Sequence, residues 1–210
     1  IGGLKNLLEA SSSVNYKKLI VSGSSSEYGF KKTAMKESDN LEPNSFYSAA
    51  KGSATLISQS YAKEKNKPIL ILRLFSVYGP YEEKTRLIPI IINSALKNKK
   101  VYVTKQPLKR DFIFIDDVVE GFYKAMVSKY KNGEIFNIGT GKQFTNLDVV
   151  KIIESILKIK LKIGSFPKRK WDSDNWVSDI SKAKKFLKWK PKYSLEKGLK
   201  KSIEFYRIQN

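Results

Sequence analysis

The chain has 210 residues and a formal net charge of +20, 41% of its residues are hydrophobic, and it contains neither cysteine nor histidine. These missing residue types exclude disulfide bonds, a thiolate nucleophile, a Ser-His-Asp triad and an ordinary zinc site, so no metal is expected. Only five of the 40 basic residues are arginines and the lysines are spread along the chain, which favours a solvated cationic surface over specific nucleic-acid binding.

The first part of the chain predicts a parallel sheet with a crossover helix. Residues 1–13 have the apolar spacing of a helix, and residues 18–22 and 69–75 are apolar runs typical of buried parallel strands. A helix over residues 45–64, with Asn44 or Ser45 as its N-cap, is expected between these strands. Strand, helix and strand in this order form a βαβ unit, in which ligands bind at the carboxyl edge of the strands.

The second part of the chain predicts shorter strands and more loops, which is typical of a small lobe beside a main sheet. Helices are expected over residues 87–98, 116–128, 147–157, 180–187 and 195–206, and strands over residues 101–103, 112–115 and 135–138. Asp116 is the expected N-cap of its helix, while Thr145 and Asp148 form a predicted capping box. The three tryptophans, Trp171, Trp176 and Trp189, are interpreted as packing residues.

Tyr47 and Lys51 are four residues apart on the predicted helix, so they share one of its faces. A nearby cation favours the phenolate form of a tyrosine, and the pair is therefore a candidate acid–base group. Taken alone, a surface contact between the two side chains is the simpler interpretation. A cluster of hydroxyl groups at residues 24–26, where the preceding strand ends, favours the functional one.

Other motifs have simpler interpretations. The Gly-Thr-Gly-Lys sequence at residues 139–142 lacks the spacing of a phosphate loop, so a turn is predicted. Arg110 either binds a diphosphate or forms an ion pair with Asp111 or Asp117.

Because the chain has no apolar run of about 18 residues, no membrane insertion is predicted, and a cytoplasmic location is the default.

Six segments, in order along the chain, carry a resemblance to a known family. They are Ser-Ser-Ser-Glu-Tyr-Gly at 24–29, the Tyr47/Lys51 pair, Leu-Arg-Leu-Phe-Ser-Val-Tyr-Gly-Pro at 72–80, Arg-Asp-Phe-Ile-Phe-Ile-Asp-Asp-Val at 110–118, Phe-Asn-Ile-Gly-Thr-Gly at 136–141, and Asp-Ile-Ser-Lys-Ala at 179–183 followed by Trp-Lys-Pro at 189–191. In this combination the sequence resembles the extended short-chain dehydrogenase/reductase family. Its members are NAD-dependent nucleotide-sugar epimerases, dehydratases and ketoreductases.

The resemblance implies an α/β fold. It would contain the C-terminal part of a Rossmann-like parallel sheet with helices on both faces, plus a small α/β substrate-binding lobe. Residues 1–80 would form the remaining half of the dinucleotide-binding domain. Residues 81–210 would form mainly the substrate lobe, with residues 112–128 returning to the main sheet.

The resemblance also implies roles for individual residues. Tyr47 would exchange a proton with a sugar hydroxyl, Lys51 would hold the nicotinamide ribose, and Ser24 would hydrogen-bond the reacting oxygen. Contacts to NAD or NADP would come from Tyr47, Lys51, Phe75 and Ser76, and contacts to the nucleotide sugar from Ser24, Arg86, Arg110 and Asn137. A homodimer through the Tyr47 helix and its neighbour is implied as well.

The sequence departs from the family pattern in three ways. Ser25 and Ser26 stand where the family's dehydratases have acidic side chains, which favours epimerisation or 4-keto reduction over 4,6-dehydration. Ser76 stands where many epimerases have asparagine. The Gly-rich phosphate turn of the dinucleotide-binding domain does not occur in the sequence, so we expect an N-terminally truncated fragment that binds NAD weakly or not at all. The alternative from another class is a non-catalytic remnant that binds only nucleotide sugar.

Overall fold

The computed structural model describes residues 1–104, 108–167 and 173–209. Its elements are α1 (Gly2–Ala10), β1 (Leu19–Ser24), a 3₁₀ turn (Ser25–Tyr28), α2 (Phe46–Glu64), β2 (Ile69–Leu74), β3 (Ser76–Tyr78), α3 (Leu87–Leu96), β4 (Val101–Thr104), β5 (Lys109–Arg110), β6 (Phe112–Phe114), α4 (Ile115–Val127), β7 (Glu134–Ile138), β8 (Phe144–Thr145), α5 (Asn146–Leu157), β9 (Ile163–Phe166), a π-helical turn (Ala183–Leu187) and α6 (Leu195–Gln209). Within these ranges, no helix is both long and apolar enough to cross a lipid bilayer.

The main sheet has three strands in the order β1-β2-β7, and both pairs are parallel. Neighbouring residues of the central strand β2 face opposite sides, since Ile69 packs with α1 and α2 whereas Leu70 and Leu72 pack with α4. Helices therefore cover both faces of the sheet, which explains why its strands are apolar almost throughout. This arrangement confirms the predicted α/β class with a parallel sheet.

A second core joins α3, α5 and α6 to β4. Ile91 of α3, Val101 of β4, Val150 of α5 and Leu199 of α6 are buried together there. Three two-stranded ladders surround this core: β3 with β6 and β4 with β9 are parallel, and β5 with β8 is antiparallel. After Phe75 the chain continues as β3, because β6 offers it a hydrogen-bonding partner.

Two predicted helix starts are confirmed. α2 begins after Ser45, whose side chain accepts from the backbone N–H of Ser48 while the Ser48 hydroxyl bonds back to the N–H of Ser45. α5 begins after Thr145, which forms the predicted capping box with Asp148. Each cap satisfies backbone donors that a helix start leaves without intrahelical partners.

The predicted start of α4 was wrong. The helix begins at Ile115 with Phe114 as its N-cap, so Asp116 lies within the first turn and its carboxylate faces Lys201 at 3.4 Å. The neighbouring Asp117 is buried and accepts from the backbone N–H groups of Lys192 and Tyr193. The local sequence hides this role, because the groups that engage Asp117 lie about 75 residues later.

Tryptophan packing follows the prediction where it is described. Trp189 is buried against α4 and its indole N–H donates to the backbone oxygen of Asp117 at 3.0 Å. Trp176 is also buried, but it additionally faces the guanidinium of Arg110, 5.3 Å from its ring centroid. Trp171 lies outside the described residues.

Candidate functional site

Ser24 lies where β1 ends and the 3₁₀ turn begins. Its hydroxyl oxygen accepts from the N–H of Ser26 at 3.2 Å and lies 2.8 Å from the Ser26 hydroxyl. The backbone N–H of Ser24 donates to Glu27 at 2.7 Å, which completes a capping box within the turn. The local sequence thus folds back on itself and holds the Ser24 hydroxyl at the carboxyl edge of the main sheet.

Helix α2 places Tyr47 and Lys51 beside the same edge. Tyr47 lies in the first turn of the helix with 60% of its surface exposed. One turn later, the ammonium group of Lys51 donates to the backbone oxygen of Ser22 at 2.9 Å. The lysine therefore ties α2 to β1 two residues before Ser24, and the structure brings the three predicted catalytic side chains to one edge.

Phe75 and Ser76 lie directly after β2, at the same sheet edge. Phe75 is buried with Tyr28, Met35 and Trp176, and its N–H donates to the backbone oxygen of Ile138. Ser76 is half-buried at the first position of β3, and it lines a cleft beside the second core.

This cleft has a volume of about 350 Å³ and contains both arginines predicted to contact substrate. Arg86 is largely exposed, and its guanidinium lies 3.8 Å from the carboxylate of Glu82. The guanidinium of Arg110 donates to the backbone oxygen of Ser173 at 3.0 Å and stacks against Trp176. Arg110 is therefore held in place by its surroundings, whereas Arg86 projects more freely at the rim.

Asn137 lies in the interior, away from this cleft. Its side-chain oxygen accepts from the hydroxyl of Tyr28 at 2.7 Å, and its amide nitrogen donates to the backbone oxygens of Met35 and Asp179. The hydroxyl is the donor in the first of these bonds, since burial raises the pKa of Tyr28 and keeps its phenol neutral. These protein groups already engage the side-chain amide of Asn137. The predicted contact between Asn137 and substrate stays a prediction.

Residues 173–179, which we name the closing segment, pass over the early part of the chain. The indole N–H of Trp176 donates to the hydroxyl of Ser25 at 3.0 Å. Asn175 donates to the backbone oxygen of Lys31, and Ser178 forms a parallel bridge with Met35. The closing segment therefore joins the turn that follows Ser24 to the part of the cleft occupied by Arg110.

Asp111 anchors the closing segment from below. Its buried carboxylate accepts from the backbone N–H groups of Thr140, Gly141 and Ser178, and from the hydroxyl groups of Thr140 and Ser178. Burial raises the pKa of Asp111, while these hydrogen bonds oppose the rise.

A larger cavity of about 610 Å³ lies elsewhere, along the outer edge of β7. Its lining includes Lys36, Lys63, Lys182, Glu37 and Glu134, but none of the residues at the carboxyl edge of the sheet. We place the candidate site at the carboxyl edge of the main sheet and the smaller cleft, because Ser76 follows β2 at that edge and lines this cleft together with Arg86 and Arg110.

The sequence analysis missed two acidic residues of this region. Glu27 pairs with Arg73 inside the protein, and Glu82 lines the cleft. A signal for the first pair was available, since an arginine within the apolar run of β2 requires a buried partner. The burial of Glu82 had no comparable signal in its local sequence.

A parallel sheet whose carboxyl edge carries a serine, a tyrosine and a lysine, beside a cleft with two arginines, defines a Rossmann-like protein of the extended short-chain dehydrogenase/reductase class. The family model described as GDP-mannose 4,6 dehydratase matches residues 1–202. The chain belongs to this family.

Its relatives include epimerases and dehydratases. The UDP-glucuronate 4-epimerase of Thermodesulfobacterium geofontis is 32% identical over 208 residues, which cover 98% of this chain and 64% of that protein. The dTDP-D-glucose 4,6-dehydratase of Mus musculus is 31% identical over 185 residues, which cover 81% of this chain and 50% of that protein.

The fold has close matches among solved structures. The UDP-glucuronic acid 4-epimerase from Bacillus cereus, solved in complex with UDP-glucuronic acid and NAD, matches with a TM-score of 0.95 and 30% identity over 100% of this chain. That match covers 68% of the Bacillus cereus chain. The chain therefore spans between 50% and 68% of the lengths of these three proteins.

Proposed function

We propose that the protein is an NAD(P)-dependent nucleotide-sugar epimerase or 4-ketoreductase. The observation that carries this proposal is the convergence of Ser24, Tyr47 and Lys51 at one edge of the parallel sheet. Lys51 reaches the backbone of Ser22 directly, so the helix that carries the phenol lies against the strand that carries the serine. Such an arrangement suits proton transfer to a bound alcohol.

The residues at this edge fit a nicotinamide cofactor. Tyr47 exposes its phenol, and Lys51 supplies an ammonium group on the same helix face, so both can donate to ribose hydroxyls. Phe75 and Ser76 would line the nicotinamide end, since both follow β2 at this edge. NAD, when bound, supplies hydride acceptance and return, and the protein supplies binding and geometry.

In the proposed reaction, Tyr47 takes a proton from a sugar hydroxyl and later gives it back. Ser24 orients the same sugar oxygen through a hydrogen bond. Arg110 binds the diphosphate of the nucleotide sugar, because it is already fixed by Ser173 and Trp176, and Arg86 adds a second cation at the rim of the cleft.

A sugar 4,6-dehydratase is the second candidate, because the murine relative is named as one. The side chains after Ser24 favour the first candidate. Ser25 accepts a hydrogen bond from Trp176, and Ser26 faces the Ser24 hydroxyl. Because both residues are serines, neither position offers a carboxyl group for the expulsion of water. An epimerase or reductase needs no such acid.

The protein is also proposed to form a homodimer through α2. Phe46 is 98% exposed and Leu56 is 58% exposed, and both lie on the outer stripe of the helix with the small residues Ala50 and Ser60. An apolar stripe of this kind on a folded surface fits an identical stripe on a second copy.

The function is tested by incubating the full-length protein and NAD with UDP-glucuronic acid, UDP-glucose or dTDP-glucose and following the products by NMR. We expect a C4 epimer of one of these sugars. A 4-keto-6-deoxy product identifies the dehydratase instead. Unchanged substrates in every mixture contradict the epimerase, and a 4-keto nucleotide sugar that stays unreduced in the presence of NADH or NADPH contradicts the ketoreductase as well.

Replacing Tyr47 with phenylalanine tests the assignment of the acid–base group. We expect the Tyr47→Phe variant to lose on the order of 10²–10⁴-fold in turnover, because general acid–base catalysis contributes about that much. The matched control is Tyr123→Phe, since Tyr123 is a half-exposed tyrosine on α4. Full activity of Tyr47→Phe would show that another group moves the proton.

A further inference from the structure

A buried ion pair lies directly beneath the turn that carries Ser24. The carboxylate of Glu27 accepts from the guanidinium of Arg73 at 2.8 Å, and both side chains are almost completely buried, with 0% and 2% of their surfaces exposed. Removing two charges from water is costly unless further hydrogen bonds satisfy them. The groups that hydrogen-bond Glu27 and Arg73 must therefore be placed at good hydrogen-bonding distances and angles.

Glu27 connects three elements through its two carboxylate oxygens. One oxygen accepts from the backbone N–H of Ser24 at 2.7 Å. The other accepts from the hydroxyl of Thr55 on α2 and from Arg73 on β2, both at 2.8 Å. A single carboxylate thus joins the Ser24 turn to the helix that carries Tyr47 and to the central strand.

Thr55 lies one helical turn after Lys51 on the same face of α2. Lys51 donates to the backbone oxygen of Ser22, and Thr55 donates to Glu27. The helix is therefore attached to the end of β1 at two successive turns. Two attachments of this kind fix both the position of α2 along its axis and its rotation relative to Ser24.

The other side of the ion pair is held equally firmly. The guanidinium of Arg73 lies 4.5 Å from the ring centroid of Tyr28, and the Tyr28 hydroxyl donates to Asn137. Gly23 leaves the space for the carboxylate, because a Cβ atom there would lie only 2.9 Å from a carboxylate oxygen of Glu27. The residues around Arg73 and Gly23 therefore leave a single position for the carboxylate of Glu27.

We propose that Glu27 is a positioning residue for the proposed reaction: it holds Ser24 in register with Tyr47 and Lys51, and Arg73 and Thr55 fix the carboxylate that does so. This inference rests on the proposed function. Glu27 itself is fully buried and acts through Ser24 and α2. Because reacting groups must be aligned closely, a small shift of Ser24 relative to Tyr47 lowers turnover more than substrate binding.

Glu27→Gln is the first test, carried out on the full-length protein with NAD. Glutamine keeps the shape of the side chain but replaces one acceptor oxygen with an N–H donor. We expect kcat to fall by at least about tenfold while KM for the nucleotide sugar stays within about twofold, which is the signature of lost alignment. A kcat equal to that of the native protein overturns the proposal.

Amide hydrogen exchange supplies a readout that does not depend on activity. In Glu27→Gln the N–H of Ser24 loses its charged acceptor, so we expect faster exchange in the peptide that spans residues 22–29. Faster exchange in a protein whose native form converts no nucleotide sugar would refute the proposed function and retain the structural link. Unchanged exchange refutes the link itself.

A double variant separates positioning from stability. Glu27→Leu combined with Arg73→Met replaces both charges with apolar side chains, which restores stability where breaking one partner alone does not. We expect the double variant to unfold closer to the native temperature than Glu27→Leu alone, and its kcat to stay low. Recovery of both stability and kcat would assign the pair a purely structural role.

Thr55→Val tests the connection between Glu27 and α2 from the side of the helix. If substitutions of Glu27 prevent folding, this variant alone tests whether Glu27 positions Ser24. Valine keeps the shape of threonine and removes only the hydroxyl that donates to Glu27. We expect kcat to fall about threefold or more with KM nearly unchanged. The matched control is Ser58→Ala, because Ser58 is equally buried on α2 but its hydroxyl donates only to the backbone of its own helix. Equal kcat values for the two variants contradict the proposal.

Discussion

At the scale of single residues, Glu82 is held in an unusual environment. Its side chain lines the cleft, and one carboxylate oxygen is buried without a hydrogen-bond partner among the residues that the structure describes. Burial raises the pKa of Glu82 to about 7, although Arg86 opposes the rise. Tyr78 and Tyr206 are the other titratable groups whose charge interacts with this carboxyl group.

The raised pKa makes stability depend on pH. Glu82 binds its proton more tightly in the folded chain than in the unfolded chain, where its pKa is 4.5. Its favourable contribution is therefore complete below pH 4.5 and is lost as the pH rises through about 7. We expect Glu82→Gln to stabilise the protein by on the order of 1–3 kcal/mol at pH 8.5, and to lose this advantage by about pH 5.

Urea denaturation of both proteins at these two pH values measures the difference. The matched control is Glu83→Gln, because Glu83 is the exposed neighbour of Glu82. An advantage of Glu82→Gln that is the same at both pH values would show that the carboxyl group is already ionised in the folded protein at low pH.

Part of the candidate site was predictable residue by residue. Tyr47 and Lys51 were proposed from their helical spacing and the hydroxyl cluster at residues 24–26 from its place at a strand end, and these are local features. The choice of Ser24 within that cluster came from the family resemblance. The environment of Glu82 was not predictable, because its loop is fixed by the hydroxyl of Tyr206, which donates to the backbone oxygen of Glu82 from 124 residues away. Glu27 was missed although the sequence contains a signal, because an arginine within the apolar run of β2 requires a buried partner but does not identify one 46 residues earlier.

At the scale of elements, α6 packs unusually closely on β3 and β6. A Cβ atom on Gly198 would lie 2.1 Å from the hydroxyl oxygen of Tyr78 and 3.0 Å from the ring of Phe114. The hydroxyl of Tyr78 also donates to the backbone oxygen of Leu195 in the first turn of the helix. The missing side chain at Gly198 therefore sets the distance between α6 and the two strands.

This close packing reverses the usual effect of alanine. In an open helix, alanine is more stable than glycine by about 1 kcal/mol. We expect Gly198→Ala to destabilise the protein by about 1–3 kcal/mol instead, because the methyl group forces α6 away from Tyr78. Gly3→Ala is the control, since nothing lies within 4 Å of a Cβ atom there, and it should leave stability equal or higher. Urea unfolding midpoints that rise for both variants would contradict the packing argument.

The long elements and the short strands β4, β6 and β7 were predictable from the sequence, whereas four other short strands were not. The apolar runs of β1 and β2 and the caps of α2 and α5 contain their own signals, so their positions agree with the structure to within about two residues. The strands β3, β5, β8 and β9 have only two to four residues each and exist because a partner strand lies beside them. Their formation depends on tertiary contacts, which a local pattern does not contain.

At the scale of the whole molecule, the proposed homodimer predicts a change in mass. Leu56→Glu places a charge in the centre of the exposed stripe on α2, and we expect it to convert a dimer of the full-length protein into a monomer. Analytical ultracentrifugation measures the two masses. The control is Phe186→Glu, since Phe186 is exposed to a similar extent on the π-helical turn. Dimers of equal stability for both variants would place the interface elsewhere.

The closing segment also determines when the site is completed as the chain is synthesised. Trp176 follows Ser25 by 151 residues, and Ser178 and Asp179 bond to a loop near Met35 that left the ribosome long before them. The βαβ core can form during translation, because its contacts lie within the first part of the chain. The cleft beside Arg110 is different, since one of its supports, the closing segment, emerges more than 60 residues after Arg110 itself. Nascent chains that end before residue 173 therefore carry the proposed catalytic side chains without one of the segments that support the proposed substrate cleft.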